Sequence, residues 1–336
     1  MEFPLVVPAW KIIPAITYGN TVVFKPATST PHTGLLFCEI LHEAGLPDGV
    51  VNYISGSGAN VGDALIANPN IQGVSFTGSS EVGLQIYQRV AQREKFVKLQ
   101  LELGGKNSMI VLEDAEMERA LEDALIACFT NCGQRCTATS RIILEKKIAN
   151  KFTEMFVERV QKLKVGNGLE EDVEIGPVSD KKQYETIVKY LQIGQDEGAE
   201  ILCGGRVLTD GKYEKGYFIE PTVFGKVNPD MRISTEEIFG PVVCLITVND
   251  FLEAIDVANN VPYGLAASIY TNNQKKANLF LDRIEAGMAH VNSPTVQNEI
   301  GMPFGGIKKS GFGPKENGKT NIEFYTEVKS IYIKYL

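Results

Sequence analysis

Short β-branched or aromatic runs alternate with longer helical patterns through roughly the first hundred residues: NTVVFK, STPHTGLLFCEILHEAGLP, GVVNYIS, ANVGDALIANP, IQGVSFTG, SSEVGLQIYQRVAQ and FVKLQLEL. Strands that take turns with helices in this way pair in parallel and are joined by crossover helices, so the chain is an α/β protein. The local signals agree with that alternation. Thr30 stands at an N-cap with Pro31 at the first helical position, and Gly45 and Pro47 close the same helix.

Past LGGKN the pattern restarts with SMIVL, a helix from about Glu116 to Asn131, a cysteine-bearing loop, SRIILE and the amphipathic ANKFTEMFVERVQKLKVG. A single core stops growing at roughly 250 to 300 residues, so 336 residues suit two cores. We expect a Rossmann-like nucleotide-binding layer over residues 1–104, a second α/β domain over 105–308, and a tail over 309–336. The tail TNIEFYTEVKSIYIKYL alternates apolar and polar residues, as an edge or intersubunit strand does.

Composition removes several classes of function. No run of about 18 apolar residues is present, which excludes a membrane-spanning helix. The opening MEFPLVVPAW has an acidic residue where a secretory signal is basic, and Pro4 and Pro8 interrupt its apolar run. Six scattered cysteines suit a reducing cytoplasm better than a stapled secreted fold. A net charge of -8 speaks against a nucleic-acid surface, because phosphate binding needs a basic face.

Half of the cysteines lie in CFTNCGQRCTATSR. A metal site would need further ligands, and His32, His42 and His290 are all distant in sequence, so no metal is expected. Cys128 and Cys132 are spaced four apart along an apolar helical pattern, as core cysteines are. Cys136 follows the helix-breaking Gly133 and sits beside Arg135 among small polar residues. It reads either as a thiol activated by its setting or as an ordinary loop cysteine.

Other segments carry chemical groups with similar ambiguity. Glu102 in LQLELGGKN is either a carboxylate buried between leucines, with a raised pKa suited to a general base, or a solvated edge-strand residue. Gly78, Ser79 and Gly83 sit between a strand and a helix, where N–H groups and a positive helix end meet phosphate, and Gly56, Gly58 and Gly62 are similarly placed; glycines also make ordinary tight turns. Lys25 lies at a strand's carboxyl end, the edge where open α/β sheets bind ligands. In EEIFGPVV, Glu237 and Phe239 are a hydroxyl-binding carboxylate and a ring to support a flat base, or simply a turn with one packed aromatic.

Taken together, NTVVFKPA, GVVNYISGSG, VSFTGSSEVG, LELGGKN, NCGQRCTATSR, EEIFGPVV and PFGGIKKSGFG resemble the aldehyde dehydrogenase superfamily in order and approximate spacing, over nearly the whole chain. The resemblance implies a catalytic thiol at Cys136 and a general base at Glu102. It implies an NAD or NADP site in which Lys25 meets the adenosine ribose and Ser79, between Gly78 and Gly83, the pyrophosphate. Glu237 then meets the nicotinamide ribose and Phe239 lies beside the nicotinamide, while Phe304 lines the aldehyde tunnel. The mechanism it implies is attack of the thiolate on an aldehyde, hydride loss to give a thioester, and hydrolysis by water that Glu102 activates.

The chain also departs from the family pattern. It begins near the family's WNFPL motif, so about the first third of that pattern is absent, and the asparagine that holds the oxyanion there aligns with Glu2. A carboxylate in that place repels developing negative charge, so weak or absent catalysis is expected of the chain as given, or a binding or subunit-association role. Thr28 replaces a glutamate that NAD-preferring members direct at the ribose 2′-hydroxyl, which points to acceptance of NADP alongside NAD. The segments GQRCTATSR, VNSPTVQNEIGMPFGG and EFYTEVKSIYI are most similar to members that oxidise 2-oxoglutarate semialdehyde, and Arg135 is placed to pair with the distal carboxylate of such a substrate. A homo-oligomer joined through the tail is the partner expected.

Overall fold

The structure, a computed structural model, describes residues 3–335. In chain order the first part contains α1 (Val6–Thr17), β1 (Val22–Phe24), α2 (Pro31–Glu43), β2 (Val51–Tyr53), α3 (Asp63–Ala67), β3 (Gly73–Thr77), α4 (Ser80–Ala91) and β4 (Lys98–Glu102). There follow β5 (Asn107–Val111), α5 (Met117–Phe129), β6 (Thr139–Glu145), α6 (Lys146–Val160), α7 (Lys181–Asp196), β7 (Glu200–Cys203), β8 (Val207–Leu208), β9 (Phe218–Ile219) and β10 (Thr222–Gly225). The remainder is α8 (Arg232–Thr235), β11 (Val242–Val248), α9 (Phe251–Asn259), β12 (Tyr263–Gly264), β13 (Ala266–Tyr270), α10 (Gln274–Arg283), β14 (Met288–Val291), β15 (Ile307–Lys308), β16 (Gly311–Phe312) and α11 (Asn321–Tyr325).

The largest sheet runs β14-β13-β5-β6-β11-β10-β7, parallel throughout except for the β10–β7 pair. Strands covered by helices on both faces read as continuous apolar runs, and all five residues of Asn107–Val111 are buried. Its core brings Met109, Ile110, Ile142, Ile143, Val243 and Ile246 together beneath Phe129, Phe152 and Phe156. A guanidinium is built into the same core: Arg141 is 1% exposed and donates to the carbonyls of Lys106, Val257 and Ala258.

The strands expected to form the nucleotide-binding layer fall into two sheets. β1 pairs only with β2, in parallel, while β3 pairs with β4 in parallel and β16 returns from the end of the chain to lie antiparallel on β4. A smaller apolar cluster of Ile66, Ile86, Val90, Leu99, Leu101 and Leu103 packs α3 and α4 against that second sheet. Glu102 ends β4, with Thr77 of β3 on one side and Gly311 of β16 on the other.

The tail differs from its sequence pattern. Residues 321–325 form the short helix α11, and residues 326–335 pair with no strand among the described residues. An alternating segment becomes a strand only where another edge supplies hydrogen bonds, and no strand edge among the described residues reaches it. Val328, Tyr332 and Tyr335 are consequently left exposed.

Candidate active site

The carboxyl ends of β1 and β3 open into a cavity of about 2010 Å³ that extends to Cys136, Glu237 and Phe239. Lys25 stands at its β1 side, where partial burial lowers the pKa of its amine and Nζ donates to Pro26 O at 2.8 Å. Uncharged Thr28 lies further along the same wall. At the β3 side, Gly78 leads into Ser79, whose hydroxyl accepts from Val82 N at 3.3 Å and caps α4. Gly83 has a packing role as well: a Cβ there would lie 2.4 Å from Leu103, so glycine lets α4 approach the sheet closely. Gly58 and Gly62 belong to a π-helical turn that also lines the cavity, whereas Gly56 stands before it with φ +150°.

The three clustered cysteines separate by environment. Cys128 on α5 and Cys132 in the turn after it are each 2% exposed, and burial raises both thiols, that of Cys132 to about 12. Cys136 is only half-buried and borders the cavity. Its carbonyl accepts from Asn107 Nδ2 at 2.8 Å, and a Cβ on Gly105 would come within 2.8 Å of that same oxygen. Glycine therefore allows the loop leaving β4 to lie against the backbone of Cys136. Among the described residues no group of three or more His, Cys, Asp or Glu is arranged to hold a metal ion.

Glu102 is 5% exposed, which excludes the solvated alternative. Burial holds its carboxyl well above the ordinary carboxylate range, with nearby Glu316 adding to the effect and Lys11, Lys315 and a backbone hydrogen bond from Gly306 opposing it. Oε2 has no hydrogen-bond partner among the described residues. Lys11 forms an ion pair with Glu316 and donates to Ser75 Oγ at 3.0 Å. The carboxylate thus sits beside a compact set of charges drawn from α1 and the loop after β16, with a backbone N–H from the loop before β15.

Glu237 and Phe239 form the opposite wall. Gly105 N donates to Glu237 Oε1 at 2.9 Å, and Phe239 is held in the left-handed region at φ +57°. Phe304 is buried with its ring 5.3 Å from that of Trp10. Arg135 lies over the Phe3 ring at 5.4 Å and donates from Nη2 to Val296 O at 3.2 Å. Glu2 falls outside the described residues.

The profile of the aldehyde dehydrogenase family matches residues 2–331. The chain belongs to the aldehyde dehydrogenase family. It is 42% identical over 333 residues to an alpha-ketoglutaric semialdehyde dehydrogenase of Bacillus subtilis (strain 168), covering 99% of this chain and 68% of that protein. It is 45% identical over 332 residues to a 2,5-dioxopentanoate dehydrogenase of Saccharolobus solfataricus, covering 98% of this chain and again 68% of the relative. Among solved structures, betaine aldehyde dehydrogenase from Staphylococcus aureus in complex with NAD+ superposes with a TM-score of 0.93 at 37% identity, over 96% of this chain and 64% of that one. An indole-3-acetaldehyde dehydrogenase with NAD+ gives a TM-score of 0.95 at 37% identity, over 99% and 67% of the two chains. The chain thus spans about two-thirds of the length of these dehydrogenases.

Several side chains around the family's motifs escaped the reading of the sequence. Lys11, Lys315 and Glu316 gather near Glu102 from opposite ends of the chain. Gln134 lies inside a motif that drew attention only to its cysteines and arginine. Gln183, near the start of α7, donates to the carbonyls of Ile238 and Phe239 at 2.8 and 3.0 Å. Local sequence carries no signal for the lysines or for Gln183. Gln134 is signalled only by being a buried amide, 7% exposed, two residues before Cys136.

Proposed function

We propose that this chain oxidises an aldehyde to a carboxylic acid with NAD or NADP, through a covalent intermediate on Cys136 and with Glu102 as general base. The observation that carries the reading is the loop between β4 and β5. Within a few residues it joins the end of Glu102's strand, the backbone bracing Cys136 and the N–H that holds Glu237, at the edge of a dinucleotide-sized cavity. We read residues 1–104 as the cofactor-holding part, 105–308 as the part carrying the thiol, and 309–336 as the tail.

The residues present suit a dinucleotide. Lys25 would hold the adenosine ribose, Ser79 and the N-terminal end of α4 with Gly78 the pyrophosphate, and Glu237 the second ribose, with the Phe239 ring beside the nicotinamide. When bound, that group supplies the acceptor for a hydride. The Cys136 thiolate forms a bond to the aldehyde carbon and the carbonyl π pair moves to oxygen. After that oxygen restores its double bond with loss of hydride, a thioester remains on Cys136. Glu102 takes a proton from water, the water oxygen adds to the thioester carbon, and the C–S bond breaks to release the acid and regenerate the Cys136 thiolate. A carboxyl kept above its usual pKa range is suited to this work near neutral pH.

For the substrate we propose a small aldehyde with a distal carboxylate, of the 2-oxoglutarate semialdehyde kind. The names of the relatives favour it, and so does Arg135, adjacent to the thiol and already aimed at the segment around Val296. Thr28, which brings no carboxylate to the ribose end, favours use of both NAD and NADP. Free cysteines throughout suit a reducing cytoplasm, and the exposed tail suits assembly into a homo-oligomer. The test is reduced-nicotinamide formation from 2-oxoglutarate semialdehyde and from simple aldehydes, with either cofactor, against a Cys136→Ala control. Weak Cys136-dependent turnover is expected, in keeping with the carboxylate that position 2 brings to the oxyanion; its absence with every pair overturns the catalytic reading in favour of a binding or subunit-association role.

A further inference from the structure

The turn that delivers Cys136 is strained. Asn131, Cys132 and Gly133 are consecutive left-handed residues, with φ of 55°, 58° and 64°. A non-glycine residue in that region costs on the order of 1–3 kcal/mol and persists only where its surroundings over-determine it. Phe239, on the wall that would face the nicotinamide, is another non-glycine residue of this kind, in a second turn.

These two strained turns touch each other. A Cβ on Gly133 would fall 2.2 Å from Gly240 O, so the backbones of the Cys136 turn and the Phe239–Gly240 turn are in direct contact. Each is also tied by a glutamine to the start of one helix. Gln134 accepts at Oε1 from Ser179 N at 2.9 Å and donates from Nε2 to Asn131 O at 3.3 Å. Gln183, in the first turn of α7, donates to Ile238 O and Phe239 O. Asp180 caps that helix through Gln183 N at 2.9 Å, and Ile187 one turn further on packs on Gly240, where a Cβ would lie 2.5 Å from it.

We propose that Gln134, Gln183 and the first turns of α7 form a clamp that fixes the Cys136 thiol relative to the Phe239 wall, with both glutamines as positioning residues. The inference rests on the reading of Cys136 as nucleophile and Phe239 as nicotinamide neighbour. A hydride leaves a carbon bonded to the thiol and arrives at a ring beside that wall, so the separation of the two turns sets the reacting distance. A misplacement of about 1 Å is enough to cost on the order of 10²-fold in rate. Two strained turns held by one rigid helix keep that separation where flexible loops would not.

The test reads thiol reactivity and does not depend on turnover. The chain and its Gln134→Ala, Gln183→Ala and double variants are treated with iodoacetamide, and alkylation of each cysteine is followed by peptide mass spectrometry. Gln183 makes its side-chain bonds to residues 238 and 239 and none to the Cys136 turn. Gln183→Ala is nevertheless expected to change the Cys136 rate by about tenfold, as Gln134→Ala does, and the double variant to add little beyond the larger single effect. Buried Cys128 and Cys132 stay protected and report that the fold is intact. The clamp is overturned if Gln183→Ala leaves Cys136 within about twofold of wild type, if the single effects multiply, or if Cys128 and Cys132 become reactive alongside Cys136. Failure of the functional reading is seen separately, as an absence of Cys136-dependent reduced nicotinamide.

Discussion

The backbone N–H of Gly105 donates to the Glu237 carboxylate at 2.9 Å, so the loop that leaves Glu102's strand also holds the carboxylate proposed to bind the nicotinamide ribose. A Cβ on the preceding Gly104 would lie 2.2 Å from Glu237 Oε2. Gly104→Ala therefore displaces that carboxylate without removing it. The expected result is a rise of about tenfold in the KM for NAD, the scale of one lost charge-assisted hydrogen bond. Titrating NAD against the wild type and the variant measures it, and an unchanged KM would place Glu237 outside the cofactor site.

The cysteines clustered in one stretch of sequence have opposite predicted phenotypes. Cys136→Ala removes the nucleophile and lowers kcat by at least about 10³-fold, with little change in melting temperature. Cys128→Ser buries a hydroxyl in the core and is expected to destabilise the fold by about 1–3 kcal/mol, while KM values hold. Steady-state kinetics and thermal melts of both variants separate the two roles. A Cys128→Ser variant that lost turnover at an unchanged melting temperature would undo the distinction.

Glu102→Gln tests base catalysis and burial together. Thioester formation does not need the base and its hydrolysis does, so the variant is expected to give a burst of at most one reduced nicotinamide per site and then nearly stop. In the wild type, kcat should rise with pH through a value above the ordinary carboxylate range of about 4.3 as Glu102 ionises, because hydrolysis is the step that needs the base. Stability has the opposite slope. Because the folded pKa is raised, the folded state binds more protons than the unfolded one between the two pKa values, and stability falls as pH rises through that window. Replacing the carboxylate by a neutral amide removes this cost, so the variant should melt higher than the wild type at neutral pH, and the gain should vanish at pH values below the unfolded pKa.

Much of this was readable along the chain, and the unread part has a common cause. The strands from β1 to β6 follow their apolar runs, and the helix opened by Thr30 and Pro31 begins where those residues place it. Burial of Glu102 was left open because strand alternation assigns faces, not coverings, and the covering arrives with β16 and the glycines around residue 305. The Lys11–Glu316 pair spans 305 positions of sequence, and no local pattern announces it. The left-handed Cys132 is likewise imposed by tertiary contacts, since glycine or asparagine would be the sequence sign of such a backbone. The tail read as a strand because alternation records a preference for pairing, while no edge among the described residues takes it up.

Arg135 distinguishes a carboxylated aldehyde from a simple one. A charge-assisted pair with a distal carboxylate contributes about 1.5–3 kcal/mol, or roughly 10- to 150-fold. Arg135→Met is expected to lower kcat/KM for 2-oxoglutarate semialdehyde by that factor and to leave propanal within about threefold. Equal losses on both substrates would make Arg135 a structural support for the segment around Val296 and remove the argument for an acidic substrate.

Residues 326–335 give the last prediction. Val328 is 97% exposed, Tyr332 94% and Ile331 73%, a density of bare apolar surface that a single chain in water does not keep without a partner. The segment alternates as a strand does yet pairs with no strand among the described residues, so its unmet backbone groups and its apolar side chains suit the same remedy, an edge on another subunit. Removal of residues 327–336 is therefore expected to lower the mass of the particle in light scattering coupled to size exclusion, from a dimer or larger species to a monomer. Lys98 is ion-paired with Glu327 and β4 carries Glu102, so loss of the tail should also reach the site, and kcat should fall together with the mass. A truncated chain that keeps the mass of the intact one would show that assembly uses a different surface and that the tail is only a loose end.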